Sequence, residues 1–421
     1  MDTPTARTPL IRTPLAHTPM SQFARSADGD LLVNGQPLTR LAERVGSTPF
    51  YAYDRSLLRA RVAELRAALP PEVELHYAMK ANPMPAVVAF MAGLVNGIDV
   101  ASGGELKVAL DAGANPADIS FAGPGKRDAE LRQALAAGVL VNVESARELT
   151  VLAALQQQLG LQARVALRVN PDFELKGSGM KMGGGAKPFG IDADQIPPLL
   201  ARIGADNLGF EGFQVFAGSQ NLRADTLCEA QQKSYALALR LAADAPALVR
   251  FLNLGGGFGI PYFPGDKPLD LAPIGANLAD IAKRARADLP QARLVLELGR
   301  YLVGEAGIYV ARVLDRKVSG GQVFLVVDGG MHHHLAASGN FGQVLRRNYP
   351  VTIVTRSRSE ARETASVVGP LCTPLDLLAD RMDLPVAEEG DLVVVYQSGA
   401  YGASASPQAF LGHPAVAEVL V

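Results

Sequence analysis

The sequence predicts a (β/α)8 TIM barrel joined to a second, C-terminal β-rich domain, an α/β fold overall. Three observations carry this. From about residue 73 to 298, short apolar runs alternate with longer stretches of helical periodicity. Eight such runs fit into about 230 residues, which suits a closed barrel better than an open doubly wound sheet. After about 305 the helical spacing fades and strand-like runs dominate.

The N-terminus repeats Thr-Pro at 3–4, 8–9, 13–14 and 18–19. Repeated prolines remove backbone donors and favour an extended chain, so 1–21 reads as a disordered tail. It has no apolar core of the kind a secretory signal needs. Residues 22–53 carry turn signals at Asp28-Gly29 and Asn34-Gly35 and read as short strands, one of them Phe50-Tyr51-Ala52-Tyr53. These are expected to join 306–421 in the β-domain, with 54–305 as the barrel. Asp54 caps a helix whose Leu57, Leu58, Val62 and Leu65 keep helical spacing, and Pro70-Pro71 end it.

Barrel strands are predicted near 73–78, 95–100, 118–121, 139–143, 163–169, 210–216, 250–254 and 293–298. Each is a short apolar run, as expected of a strand buried on both faces. Helices are predicted near 84–93, 103–112, 127–137, 145–159, 192–203, 224–245 and 270–288. Beyond the barrel, strands are predicted at 307–314, 322–327, 351–355 and 391–396, with one helical piece near 375–381.

Composition narrows the function classes. The chain has 421 residues, 48% hydrophobic and 19% charged, with a net charge of −2. No basic stripe points to nucleic acid or to an anionic membrane surface. No apolar run approaches the roughly 18 residues of a membrane span. The two cysteines, Cys228 and Cys372, form no disulfide framework, so a reducing, cytoplasmic setting is expected.

Chemistry in such a barrel sits at the C-terminal strand ends. Lys80 follows the first strand and Asp99 ends the second. Arg168 ends the fifth, and the sixth runs into Phe216-Ala217-Gly218-Ser219. The seventh runs into Gly255-Gly256-Gly257-Phe258-Gly259, and the eighth carries Glu297-Leu298-Gly299-Arg300. Lys80 is either a solvated turn residue or a lysine whose pKa is lowered by desolvation, freeing its amine for a Schiff base. Consecutive glycines either make a plain turn or let backbone N–H groups close on a phosphate. Arg300 offers a charged partner to the same phosphate. Glu297 either pairs with Arg300 or faces a pyridine nitrogen. A lysine, a phosphate cradle and a carboxylate in one barrel suggest pyridoxal 5'-phosphate, with the pyridinium as electron sink.

The residues also carry a resemblance, over about 48 to 421. Tyr77-Ala78-Met79-Lys80-Ala81-Asn82, Asp99-Val100-Ala101-Ser102 with Glu105, the glycine run and Glu297-Leu298-Gly299-Arg300 resemble motifs of the barrel-type pyridoxal-phosphate decarboxylases. That family includes the diaminopimelate and ornithine decarboxylases. Gly369-Pro370-Leu371-Cys372 and Gly399-Ala400-Tyr401-Gly402-Ala403 resemble its two C-terminal motifs. The resemblance implies that Lys80 holds the cofactor, and that Ser219, the glycine run, Arg300 and Tyr401 bind its phosphate. It places Asp99, Arg168, Phe216, Glu297 and Gly299 at the cofactor as well. It implies a head-to-tail homodimer with shared active sites, in which Cys372 reaches the partner's site as a catalytic residue.

Three departures bear on the substrate. Phe216 stands where the family carries a histidine stacked on the cofactor; it can stack but not hydrogen-bond. Thr373 stands where diaminopimelate decarboxylases carry an acid after the cysteine, and 332–341 lacks their Arg and Tyr. Arg300, Thr373 and Tyr401 are the candidate substrate contacts, and diaminopimelate is not the expected substrate. His332-His333-His334 are expected on a strand, where they cannot easily share one metal ion, and are read as polar lining of the substrate pocket, so no metal is expected. An amino-acid decarboxylase is the leading expectation. The alternatives are a racemase of the same fold, against which Glu297 argues, and a catalytically silent homologue, which would be expected to lose Lys80 or Cys372.

Overall fold

A computed structural model describes residues 16–174, 180–343, 345–354 and 361–421. Eight parallel strands form a closed barrel: β1 (Val73–Ala78), β2 (Gly97–Val100), β3 (Ile119–Phe121), β4 (Leu140–Val143), β5 (Arg164–Asn170), β6 (Gly209–Val215), β7 (Phe251–Gly256) and β8 (Arg293–Leu298). Each strand pairs with the next in sequence, and β8 closes the ring on β1. Seven helices follow the expected spans, from Pro85–Ala92 to Ala272–Asp288.

The side-chain alternation of the strands explains the layers. In β1, Leu75 and Tyr77 pack into the core shared with the surrounding helices. Inside the ring, Leu140, Ala166, Phe251 and Val295 form a small apolar cluster of their own. The remaining interior is polar: His76, Asp99, Ser120, Asn142, Gln214, Asn253 and Glu297 are all buried. Buried polar groups need partners, and these side chains hydrogen-bond to one another from strand to strand.

The second sheet is built on the long strand Gly307–Ser319. It pairs antiparallel with Gln322–Val327, with Leu392–Val395 and with the N-terminal strand Phe50–Tyr53. The C-terminal strand Ala417–Leu420 runs parallel to Phe50–Tyr53. Asp54 caps the helix Arg55–Ala68 as expected, accepting from the Ser56 and Leu57 amides.

Three local expectations are corrected. The segment near 375–381 is not helical; Leu377–Pro385 is a strand paired with Arg362–Val368. Its leucines, alanine and methionine favour helix, but pairing to a neighbouring strand overrides so weak a preference. Within 22–53 the chain forms a helix, Leu38–Val45, that buries Leu38, Leu41 and Ala42. His332–His334 lie in a turn, not on a strand. All three are buried, the rings of His332 and His333 are 3.7 Å apart, and His334 bonds the Ser398 hydroxyl at 2.9 Å.

The first three Thr-Pro pairs lie outside the described residues. From Ala16 the chain is placed, and it is hydrogen-bonded to the loop after β7. Among the described residues no helix is long and apolar enough to cross a membrane.

Candidate active site

β1 ends at Ala78, and a single 3-10 turn, Met79–Ala81, carries Lys80 over the mouth of the barrel. The Lys80 ammonium lies 3.0 Å from Glu297 Oε1. The other Glu297 oxygen accepts from Gln214 Nε2 at 2.6 Å and from Asn253 Nδ2 at 3.4 Å. Glu297 therefore pairs with Lys80, and an ion pair with Arg300 is not formed. The Lys80 nitrogen also sits 5.5 Å from the centre of the Phe216 ring.

This pairing corrects the expected charge state of the lysine. Burial pushes the Lys80 ammonium down, but the Glu297 carboxylate, with Tyr401, more than offsets it and holds the group above the ordinary lysine range. Without cofactor, Lys80 is an ammonium locked to a carboxylate. Glu297 itself is pushed up by burial, and Lys80 and Arg168 bring it below its ordinary value.

The phosphate end is built by glycine. Gly255 and Gly257 have φ of +74° and +80°, a backbone region that side chains rarely adopt. A Cβ on Gly256 would come within 2.1 Å of the Glu297 carbonyl oxygen. The loop thus packs directly against the end of β8. Facing it, the half-buried Arg300 donates to the Tyr262 hydroxyl at 2.7 Å and lies 4.6 Å from the Tyr401 ring centre. Its Nε is buried and has no partner among the described residues. A buried donor left over beside a glycine loop is the arrangement a phosphate satisfies.

Lys80, Phe216, Ser219, Gly257, Glu297, Gly299, Arg300 and Tyr401 line one cavity. An amine, a carboxylate, an aromatic face and a guanidinium beside the glycine loop surround one space. The residues present therefore fit pyridoxal 5'-phosphate.

Four predicted residues lie elsewhere. Asp99 is held inside the barrel by Ser120 and by His76 Nδ1 at 3.2 Å and does not line the cavity. Arg168 is tied to Glu144 at 2.7 Å and acts on Lys80 and Glu297 through its charge. Cys372 and Thr373 lie on the loop 369–376 and are not among the residues that line the cavity of their own chain. Cys372 is exposed. That loop is organised by Asp376, whose carboxylate accepts from the Met331 amide at 2.6 Å and the Leu371 amide at 2.8 Å.

Sequence reasoning missed Gln214, Asn253, His76, Tyr262 and Asp376. Gln214 and His76 carried a signal, since each is a polar residue on a barrel strand, Gln214 two positions before Phe216 and His76 four before Lys80. His76 is pushed down by burial, but the Asp99 carboxylate raises it to about 9.

A wider cleft of about 680 Å³ adjoins the cavity and shares Arg300 with it. Its walls are the loop after β7, with Tyr262, Phe263 and Asp266, and the residues Phe341, Gly342, Gln343, Leu345, Arg347 and Tyr349. The three histidines are not among its lining residues, which corrects the expectation for them.

Tyr401 joins the two sheets. Its backbone is left-handed, with φ of +53°, and its amide donates to the Ala81 carbonyl at 2.7 Å. Asn82 Nδ2 donates to the Gly399 carbonyl at 3.0 Å. A Cβ on Gly399 would lie 1.8 Å from the Val303 carbonyl oxygen, so only glycine allows this contact.

Comparison with known proteins shows what the chain is similar to. The family model for the pyridoxal-binding domain of pyridoxal-dependent decarboxylases matches residues 55–304. The chain is 38% identical over 389 residues to the L-glutamyl-[BtrI acyl-carrier protein] decarboxylase of Niallia circulans, covering 91% of this chain and 90% of that protein. It is 34% identical over 399 residues to the diaminopimelate decarboxylase of Aquifex aeolicus, covering 94% and 91%. The crystal structure of Helicobacter pylori diaminopimelate decarboxylase complexed with L-lysine superposes with a TM-score of 0.80 at 28% identity, over 91% of this chain and 94% of that one.

Proposed function

We propose, from the premise that this chain belongs to the pyridoxal-dependent decarboxylases, that the amino acid it decarboxylates has a neutral or anionic far end. The observation that carries this is the charge of the cleft. It is lined by Arg300 and Arg347, by Arg223, which is paired with Asp225, and by one carboxylate, Asp266. One Asp266 oxygen is already taken by the Phe263 amide at 3.1 Å. A distal ammonium held there would have poor compensation, and an uncompensated buried charge costs on the order of 1–3 kcal/mol or more. Thr373 supplies a hydroxyl and no charge, and Asp376, nearby in sequence, is committed to backbone amides.

A glutamyl group on an acyl-carrier protein has such a far end. Loss of the α-carboxylate requires it to be free, so the carrier must be joined through the side-chain carboxyl, which the thioester makes neutral. The 38% identical relative that acts on such a substrate supports this reading.

Bound pyridoxal phosphate supplies an aldehyde for amines and a ring that accepts the electron pair left by carbon dioxide. Lys80 is the amine that would hold it. Glu297, buried and oriented by Gln214 and Asn253, would keep a proton on the ring nitrogen. The glycine loop, Ser219, Arg300 and Tyr401 would take the phosphate, and Phe216 would cover one ring face. Asp99 and Arg168 would act on the cofactor from the barrel interior, Arg168 through its charge on Lys80 and Glu297. Lys80 would also be the group that moves protons at Cα. Cys372, exposed on its loop, would reach the site of a second copy in a homodimer and deliver a proton there. We also assign 22–53 with 306–421 to one β-rich domain and 54–305 to the barrel, and place the enzyme in a reducing, cytoplasmic setting.

The test is kcat/KM across a panel: meso-diaminopimelate, lysine, ornithine, glutamate, neutral amino acids and γ-glutamyl thioesters. The neutral or anionic group should lead. A highest value for meso-diaminopimelate, at roughly 10⁴ M⁻¹s⁻¹ or above, would overturn the assignment.

A further inference from the structure

The geometry points to the cleft beside the cofactor cavity as the seat of the arm that carries the acyl group, with residues 16–18 bracing its walls. This rests on the carrier-bound substrate proposed above.

Size is the first argument. The cleft holds about 680 Å³, within the roughly 300–1,000 Å³ typical of sites for drug-sized ligands and far more than the side chain of one amino acid fills. Position is the second. Arg300 borders both the cavity and the cleft, so a substrate reacting at Lys80 has this space open to its far end.

Chemistry is the third. Acyl-carrier proteins present their acyl groups on a pantetheine arm, a chain of amides and methylenes ending in a phosphodiester. The cleft offers the aromatic faces of Tyr262, Phe263 and Tyr349 to such a chain. Arg347 sits over the Phe263 ring, its guanidinium carbon 3.8 Å from the ring centre, and makes no carboxylate pair among the described residues. A stacked guanidinium keeps its donors free for a phosphate. Leu345, 80% exposed, stands in the same lining.

The N-terminal segment is the fourth. The Ala16 carbonyl accepts from the Gly265 amide at 2.9 Å, and the Thr18 hydroxyl donates to the Asp266 carbonyl at 3.0 Å. His17 Nε2 pairs with the Asn348 carbonyl at 2.8 Å. Three consecutive residues thus bridge the loop after β7 and the segment beside Arg347, the two walls between which the arm would lie. His17 and Thr18 are positioning residues in this assignment.

The experiment compares γ-glutamyl thioesters of N-acetylcysteamine, pantetheine and pantetheine 4'-phosphate, using full-length holoenzyme. For the unaltered enzyme, kcat/KM should rise along that series, by about tenfold at the phosphate step, the value of one charge-assisted hydrogen bond. Arg347→Gln should erase the phosphate step through KM while losing less on the two unphosphorylated thioesters. His17→Ala/Thr18→Val should raise KM for both pantetheine substrates more than for N-acetylcysteamine. Equal kcat/KM for all three thioesters in the unaltered enzyme would overturn the arm site and leave the proposed function standing. A loss on Arg347→Gln that is the same for all three would do likewise, as would thioesters no better than free glutamate. Turnover of meso-diaminopimelate with none of any thioester would overturn the proposed function itself.

Discussion

Replacing Glu297 by glutamine separates two roles that the native carboxylate combines. At 3.0 Å and an effective dielectric constant of about 20, its attraction to the Lys80 ammonium is roughly 5 kcal/mol. The Lys80 side chain is 43% exposed, and solvent screening along that stem leaves a net effect of about 2 kcal/mol. Lys80 therefore falls back toward the ordinary lysine range in the variant. The direction follows because burial, which pushes the ammonium down, is no longer opposed by a charge. The neutral amine population near pH 8 then rises about thirtyfold. Glu297→Gln apoenzyme should therefore capture pyridoxal phosphate faster than the native protein, by up to that factor. Its decarboxylation should slow on the order of 10²-fold, the loss typical when one group stabilising developing charge is removed. Stopped-flow absorbance on mixing apoenzyme with cofactor measures the first, and carbon dioxide release the second. Unchanged capture together with turnover within about threefold of native would refute the pairing and the ring-nitrogen role together.

Borohydride treatment of the holoenzyme should fix the cofactor to the peptide containing Lys80, read by mass spectrometry; labelling of another lysine would refute the assignment. Mixing inactive Lys80→Ala and Cys372→Ala proteins should restore up to about one quarter of native activity, since half of randomly mixed dimers hold one intact site of two. No recovery after verified subunit exchange would count against a shared site. His76, raised to about 9 by Asp99, gains stability from its charge that is complete below its unfolded pKa of about 6.5 and lost as pH rises through about 9. Unfolding free energy should fall over that window by up to roughly 3 kcal/mol, and His76→Gln should flatten the profile; a native profile already flat there would contradict the charge.

The barrel was legible because each strand is short, apolar and followed by a helix of clear period. The site was legible where chemistry forces residue type, as at Lys80, Glu297, Arg300 and the glycine loop. What escaped depends on partners distant in sequence. The helix-like composition of 375–381 gave no sign of the strand Arg362–Val368 waiting beside it. The charge of Lys80 depends on Glu297, 217 residues away, and desolvation alone gives the wrong direction. Asp376 looks available in the sequence, and only the fold shows two amides occupying it. The helix Leu38–Val45 is a different case. Leu38, Leu41, Ala42 and Val45 keep helical spacing, and the nearby turn signals masked it.

The hydrogen bonds from Tyr401 to Ala81 and from Asn82 to Gly399 tie the lysine turn to the second sheet. One side of the cofactor's seat is thus delivered by chain more than 300 residues downstream of the lysine. The yellow of the bound cofactor becomes a gauge of how firmly the second sheet is seated. Substitutions in Leu392–Val395, the strand leading to Tyr401, should bleach the protein while its barrel is still folded. A dye-free screen for loosened variants, or for compounds that wedge into that seam, needs nothing more than a spectrophotometer.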